Sequence, residues 1–214
     1  MLSIELLKRL PAKWEAVRSG GFRVENAGRM VKNSTIGLIG LGNIGQATAR
    51  RLQGFECRML AYDPYQKPEV AASVGVELVD KETLLRESDV ISIMVTLTDE
   101  TKHLIGEADF NLMKPGAYLI NLARGGVIDS LDTIDTLLRN GHLRGAALDV
   151  FEQEPPPANY ALLNHPNVIA TPHLGASTEE AQARVALQIA EQTRDFFLKN
   201  EIRNGINIRD LNLG

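Results

Sequence analysis

Three polar groups in this chain stand where an apolar run ends, and each carries a side chain able to hold an anion or move a proton. In Asn121-Leu122-Ala123-Arg124-Gly125-Gly126 the arginine offers a planar, permanently charged fork suited to a carboxylate or a carbonyl oxygen. A surface arginine in a turn is the competing reading. In Leu148-Asp149-Val150-Phe151-Glu152-Gln153-Glu154-Pro155, Asp149 lies among apolar residues, where an ionised side chain is costly unless it is paired or ligand-bound. Glu152 reads as solvated, and Glu154 as either solvated or reaching toward another strand end. In Thr171-Pro172-His173-Leu174-Gly175-Ala176 a histidine at a strand-to-helix junction can give and take a proton near neutrality. His103, His142 and His165 lie in polar surroundings and receive no role. No Cys or His spacing suggests a metal, and no Gly-x-Ser-x-Gly elbow suggests a hydrolase.

A fourth constellation supplies a ligand for these groups. The run Thr35-Ile36-Gly37-Leu38-Ile39-Gly40-Leu41-Gly42-Asn43-Ile44-Gly45-Gln46 joins a short apolar strand to a helix through a glycine-rich turn. The spacing gives Gly40 a tight turn, Gly42 a close backbone approach to a pyrophosphate, and Gly45 close helix-on-strand packing. Amides at the helix start, with the helix dipole behind them, then face the phosphates. About 20 residues on, a second apolar run ends at Asp63, whose carboxylate can accept hydrogen bonds from an adenosine ribose. Pro64 and Tyr65 follow it in place of a cationic cluster, which favours NAD over NADP.

These residues need a scaffold that brings strand ends together. From Thr35 onward apolar runs alternate with helical patterns, which predicts an α/β fold with a parallel sheet covered on both faces. The predicted strands are Ile36 to Gly40, Cys57 to Tyr62, Val76 to Val79, Val90 to Val95, Ala117 to Leu122, Ala146 to Val150 and Val168 to Thr171. Helices are expected near Gln46 to Leu52, Lys81 to Glu87, Glu107 to Leu112 and Ser130 to Arg139. A long helix should open at Ser177, as N-cap with Glu180 completing a capping box, and run to about Lys199. Ile206 to Ile208 could add a short strand. Before the sheet, Leu2, Leu6, Leu7 and Leu10 share one side of a helical wheel that Pro11 interrupts or restarts ahead of Trp14 and Val17, and Gly20 and Gly21 end it. Its apolar face must pack on the main domain, on a partner subunit or on something outside these residues.

Composition narrows the function classes. The 214 residues are 44% apolar and 23% charged, with a net charge of −4 and scattered Lys and Arg, so neither a nucleic-acid nor an anionic-membrane surface is supported. Residues 1–10 are too short and too charged for a signal peptide or a membrane span. Cys57 is the only cysteine and reads as a buried, inert thiol inside a strand, consistent with a reducing, cytoplasmic setting.

Together, the glycine loop Gly40 to Gly45, Asp63, Asn-Leu-Ala-Arg-Gly-Gly at 121–126, Leu-Asp-Val-Phe-x-x-Glu-Pro at 148–155 and Thr-Pro-His-Leu-Gly-Ala at 171–176 resemble the D-isomer-specific 2-hydroxyacid dehydrogenases. Within them the chain looks most like phosphoglycerate dehydrogenases and hydroxypyruvate or glyoxylate reductases. The resemblance implies a Rossmann-type doubly wound sheet, NAD as cofactor and a small 2-oxo or 2-hydroxy acid as substrate. It implies that Arg124 holds the acid through its carboxylate and carbonyl, that His173 exchanges the proton, and that Glu154 hydrogen-bonds the imidazole. It further implies that Asp149 binds the nicotinamide carboxamide and that Asn43 and Ile44 give amides to the pyrophosphate. Val95, Leu122 and Ala123 would border the cofactor, with Arg124, His173 and Gly175 completing its contacts. Met94 and Thr96 depart from the His and Pro common in that segment of the family. The resemblance divides the chain into an interdomain and dimer-contact helical segment at 1–30, an NAD-binding domain at 31–200 and a tail at 201–214. It also implies a substrate domain ahead of the first helix, which these residues do not include, and a homodimer. Since it extends to corepressors that keep the fold, NAD-responsive binding without turnover is the alternative function.

Overall fold

The computed structural model describes residues 2–22 and 27–205 and contains two units, Met1–Pro172 and His173–Gly214. The first unit opens with helices α1 (Leu2–Lys8) and α2 (Leu10–Arg18), then β1 (Thr35–Ile39), α3 (Asn43–Leu52), β2 (Arg58–Tyr62), α4 (Pro68–Ser73) and β3 (Glu77–Leu78). It continues with α5 (Lys81–Glu87), β4 (Val90–Ile93), α6 (Glu107–Leu112), β5 (Ala117–Asn121), α7 (Leu131–Arg139), β6 (Leu143–Leu148) and β7 (Val168–Ala170). The second unit holds α8 (Glu179–Lys199).

All seven strands run parallel, in the order β3-β2-β1-β4-β5-β6-β7. Successive side chains of a strand face opposite ways, and the two faces carry separate cores. Ile36 and Leu38 of β1, Met59 and Ala61 of β2 and Tyr118 and Ile120 of β5 pack with Leu6 and Leu7 of α1, Ala49 of α3 and Ala71 of α4. Ile39, Leu60 and Leu119 turn to the other side, against Leu84 and Leu85 of α5, Phe110 of α6, and Ile134 and Leu138 of α7. This is the parallel sheet covered on both faces expected from the alternating apolar runs, and the Rossmann-type doubly wound order that the resemblance implies. Its order reverses at β1, which lies between β2 and β4, so the crevice above the carboxyl end of β1 is the place where such sheets bind ligands.

Several boundaries differ from the sequence reading, for local reasons. β6 begins at Leu143, three residues before the expected Ala146. Arg144 and Gly145 obscure the apolar run there, although Leu143 is buried. Strands expected to reach Gly40, Val95, Leu122, Val150 and Thr171 end earlier, as the backbone leaves the ladder to build loops. Cys57 stands one residue ahead of β2 and is half-buried, its thiol pKa pushed up by burial. The unexpected α4 is a single short run with Pro68 in its first turn and only Ala71 buried. Pro11 restarts the N-terminal helix from within the first turn of α2, where its missing N–H costs no intrahelical bond. Leu6 and Leu7 of α1 reach the sheet, whereas Leu10, Trp14 and Val17 of α2 are exposed.

In the second unit the N-cap of α8 is Thr178, not Ser177: its hydroxyl accepts the Ala181 amide at 3.1 Å. The helix therefore starts one residue later than expected, which places Glu180 at its second position and removes the capping box. Near the other end Asp195 is buried under Arg194 (2.9 Å), Lys199 (3.1 Å) and Arg203 (3.2 Å). The strand expected at Ile206 to Ile208 lies outside the described residues. No helix among the described residues is long and apolar enough to cross a membrane.

Candidate functional site

At the end of β1 the three glycines occupy three different environments. Gly40 has φ +97°, a left-handed conformation that disfavours any side chain; a Cβ there would also stand 2.9 Å from the Met94 carbonyl oxygen. Gly45 is buried in the first turn of α3, and a Cβ would collide with the carbonyl oxygen of Gly40, so only glycine lets the helix approach the strand this closely. A Cβ on Gly42 would meet nothing within 4 Å. It faces open space at the helix N-cap, beside exposed Asn43 and Ile44, where an α-helix leaves its first N–H groups without intrahelical acceptors.

Asp63 follows β2 and is tied into this turn. One carboxylate oxygen accepts the Leu41 amide at 2.8 Å and the other the Tyr65 amide at 3.0 Å. A carboxylate offers about four lone-pair sites, so both oxygens retain room for ribose hydroxyls while the two amides fix their direction. Asp63, Gly40 and Gly42 line a cavity of about 450 Å³ with Met94, Val95 and Thr96. Met94 to Thr96 also line a second cavity, of about 400 Å³, together with Ile44, Leu122, Ala123 and Arg124. Through these shared residues the two cavities adjoin along the ends of β2, β1, β4 and β5, and together they form the candidate groove. It gathers Gly40, Gly42, Ile44, Asp63, Val95, Leu122, Ala123 and Arg124 from the candidate set.

Two residues without a role in the sequence reading build the far end of this groove. Asn121, fully buried at the end of β5, accepts the Ala123 amide at 3.0 Å through its side-chain oxygen and donates to the Arg124 carbonyl at 3.0 Å. Its own carbonyl accepts the Asp149 amide at 3.1 Å. Gly125 presses against the backbone of Phe151 and Glu152: a Cβ there would overlap the Phe151 carbonyl group and the Glu152 nitrogen. The loop of Arg124 is thereby clamped to the loop that carries Glu154. Glu154 in turn accepts the Phe151 amide at 3.0 Å, and Arg124 Nη1 donates to the Ala123 carbonyl at 2.8 Å. Asp149 is buried and accepts the Thr171 hydroxyl at 2.5 Å. The sequence signal for Asn121 is a buried amide side chain closing an apolar strand. For Gly125 no local signal exists, because its contact lies 26 residues away.

His173 and Gly175 stand at the start of the second unit. His173 is exposed and has φ +55°, a conformation in which histidine is found more often than bulkier residues.

The profile of the family described as D-isomer specific 2-hydroxyacid dehydrogenase, NAD binding domain, matches residues 1–175. This chain belongs to that family. D-3-phosphoglycerate dehydrogenase of Archaeoglobus fulgidus is 39% identical to this NAD-binding domain over 97% of the chain and 39% of the relative. The crystal structure of a glyoxylate reductase from Paecilomyes thermophila superposes with a TM-score of 0.88 at 30% identity, over 97% of the domain and 63% of that chain. A D-lactate dehydrogenase from Aquifex aeolicus, solved with NAD and lactic acid, gives a TM-score of 0.83 at 32% identity, over 91% and 63%. The domain thus spans about two fifths of the length of the first curated relative and under two thirds of the solved chains. Its residues fit NAD: a Cβ on Gly42 would meet nothing within 4 Å, which leaves the start of α3 open to a phosphate, and Asp63, held by two amides, lines the same cavity as Gly42.

Proposed function

We propose that this chain is the cofactor-binding part of an NAD-dependent oxidoreductase of D-2-hydroxy acids of the 3-phosphoglycerate, hydroxypyruvate or glyoxylate type. The observation that carries the proposal is a pair of adjoining cavities that share Met94, Val95 and Thr96, one lined by the dinucleotide turn and Asp63 and the other by Arg124. The names of the relatives support the substrate class. NAD, when bound, supplies the hydride acceptor.

The chain's own residues divide the remaining work. Asp63 and the amides of Asn43 and Ile44 fix the dinucleotide, and Asp149 holds the nicotinamide carboxamide. Val95, Leu122 and Ala123 exclude water from the reacting face. Arg124 pairs with the substrate carboxylate and carbonyl, and the amide clamp of Asn121 sets the position of its backbone. His173 takes the hydroxyl proton when the carbon gives up hydride and returns it in the reverse direction, a contribution of about 10² to 10⁴ in rate for a positioned acid-base. Glu154 keeps the supporting role that the resemblance gives it.

A full-length protein that carries this domain should oxidise NADH with hydroxypyruvate, glyoxylate or 3-phosphohydroxypyruvate. Arg124→Ala should lower kcat/KM by about 10- to 10²-fold, the range set by a charge-assisted pair of about 1.5–3 kcal/mol. Tight NADH binding with no turnover of any of the three acids would refute the enzyme reading and leave an NAD-responsive binding protein. We also propose a homodimer, supported by exposed Leu10, Trp14 and Val17 on α2, and checked by light scattering at micromolar concentration. A cytoplasmic location goes with this reading and is checked by cell fractionation.

A further inference from the structure

The adenosine end of the groove carries a second carboxylate. Glu100 lines the same 450 Å³ cavity as Asp63, on the loop that follows β4. That loop is tied to itself: Thr101 Oγ1 donates to the Thr96 carbonyl at 2.5 Å and accepts the Thr98 amide at 2.8 Å. Glu100 is therefore presented from an ordered turn. Tyr65 links the two acids. Its amide donates to Asp63 at 3.0 Å, and its hydroxyl donates to Glu100 at 2.5 Å, joining the loops after β2 and β4 across the mouth of the groove. The hydroxyl pKa is raised, first by the hydrogen bond to Glu100 and then by the charge of Glu100, with Asp63 the smallest contribution. The residues lining this cavity include two carboxylates and neither Lys nor Arg; Lys67 and Lys102, the nearest cations along the chain, are not among them.

We propose that Glu100, held by the Tyr65 hydroxyl, is a second determinant of cofactor choice that acts with Asp63 against a dinucleotide phosphorylated on the adenosine ribose. This rests on the NAD reading given above. An uncharged ribose gains hydrogen bonds from Asp63 and is indifferent to Glu100, whereas a 2′-phosphate brings nearly two negative charges into a cavity that already holds two. Glu100 acts through space and not by contact, and such an interaction is screened over about 10 Å in 0.1 M salt. Its effect should therefore be modest and strongly dependent on salt.

The test is a nucleotide-fluorescence titration of this chain with NADH and NADPH. At about 10 mM salt, where screening is weak, Glu100→Gln should tighten NADPH about threefold and leave NADH within about twofold. At about 0.5 M salt the gain should vanish. Tyr65→Phe, which frees Glu100 to turn toward water, should reproduce the gain in part. Equal changes for both nucleotides, no change for either, or a gain that persists at high salt would overturn the proposal while NADH binding by the unaltered chain upholds the NAD reading. Failure of the unaltered chain to bind NADH would overturn both.

Discussion

Replacing Gly125 with alanine tests whether the Arg124 loop is built by backbone contact with the loop after β6. The residue is buried and its φ is not left-handed, so the substitution adds no conformational strain, only volume. The added methyl group would fall far inside 3.0 Å of the Phe151 carbonyl group and the Glu152 nitrogen, all main-chain atoms without a rotamer to yield. Normal carbon contacts lie at about 3.5–4.0 Å, so the two loops must part by on the order of 1 Å. Overpacking of this kind costs about 1–3 kcal/mol, and the upper end applies where the neighbour is backbone. For a chain of this size about 3 kcal/mol corresponds to a fall in Tm of roughly 6–12 °C. Thermal and urea unfolding of the isolated chain would read the loss of stability. The loop carries Arg124, so the same separation should reduce kcat/KM of the full-length protein by about 10²-fold, the cost of a 1 Å misplacement. Unchanged Tm and urea midpoint would show that the close approach is not a feature of the folded protein. A lowered Tm with unchanged kcat/KM would show that the contact does not position Arg124.

Gly42→Ala should behave oppositely: its methyl meets nothing in the protein, so stability should change by less than about 1 kcal/mol, while NADH binding, followed by fluorescence, should weaken at least about tenfold because the methyl occupies the pyrophosphate's approach. Asn121→Ala removes the partners of the Ala123 amide and the Arg124 carbonyl; a cost of about 1–3 kcal/mol in urea unfolding is expected, with a larger effect on kcat/KM than the stability loss alone explains. Asp80 caps α5 by accepting the Thr83 amide and hydroxyl at 2.8 Å each, and these bonds hold its pKa below the ordinary 3.8. Its contribution is therefore present above pH 3.8 and lost as the pH falls through the lower folded value; Asp80→Asn should flatten this part of a Tm-against-pH profile below pH 4.

The local part of the site was legible in the residues because its physics is local. Gly40 makes the tight turn and Gly45 the close helix-on-strand packing that their spacing within one strand-turn-helix unit demands, and the apolar runs separated by helical patterns led to a parallel sheet covered on both faces. Helices expected near Lys81 to Glu87 and Glu107 to Leu112 have those bounds in the structure. The tertiary structure decided what depends on partners distant in the chain. The start of β6 at Leu143 follows from its neighbour strands, not from its own mixed sequence. The sequence proposes Asp63 as a ribose acceptor, but does not reveal a carboxylate anchored by the amide of Leu41, 22 residues earlier. Gly125 has no role in the sequence reading and is a point where two loops touch. Chain periodicity reports which way a residue faces; only the folded sheet reports which backbone stands opposite, and that opposition places Arg124 at the end of the groove.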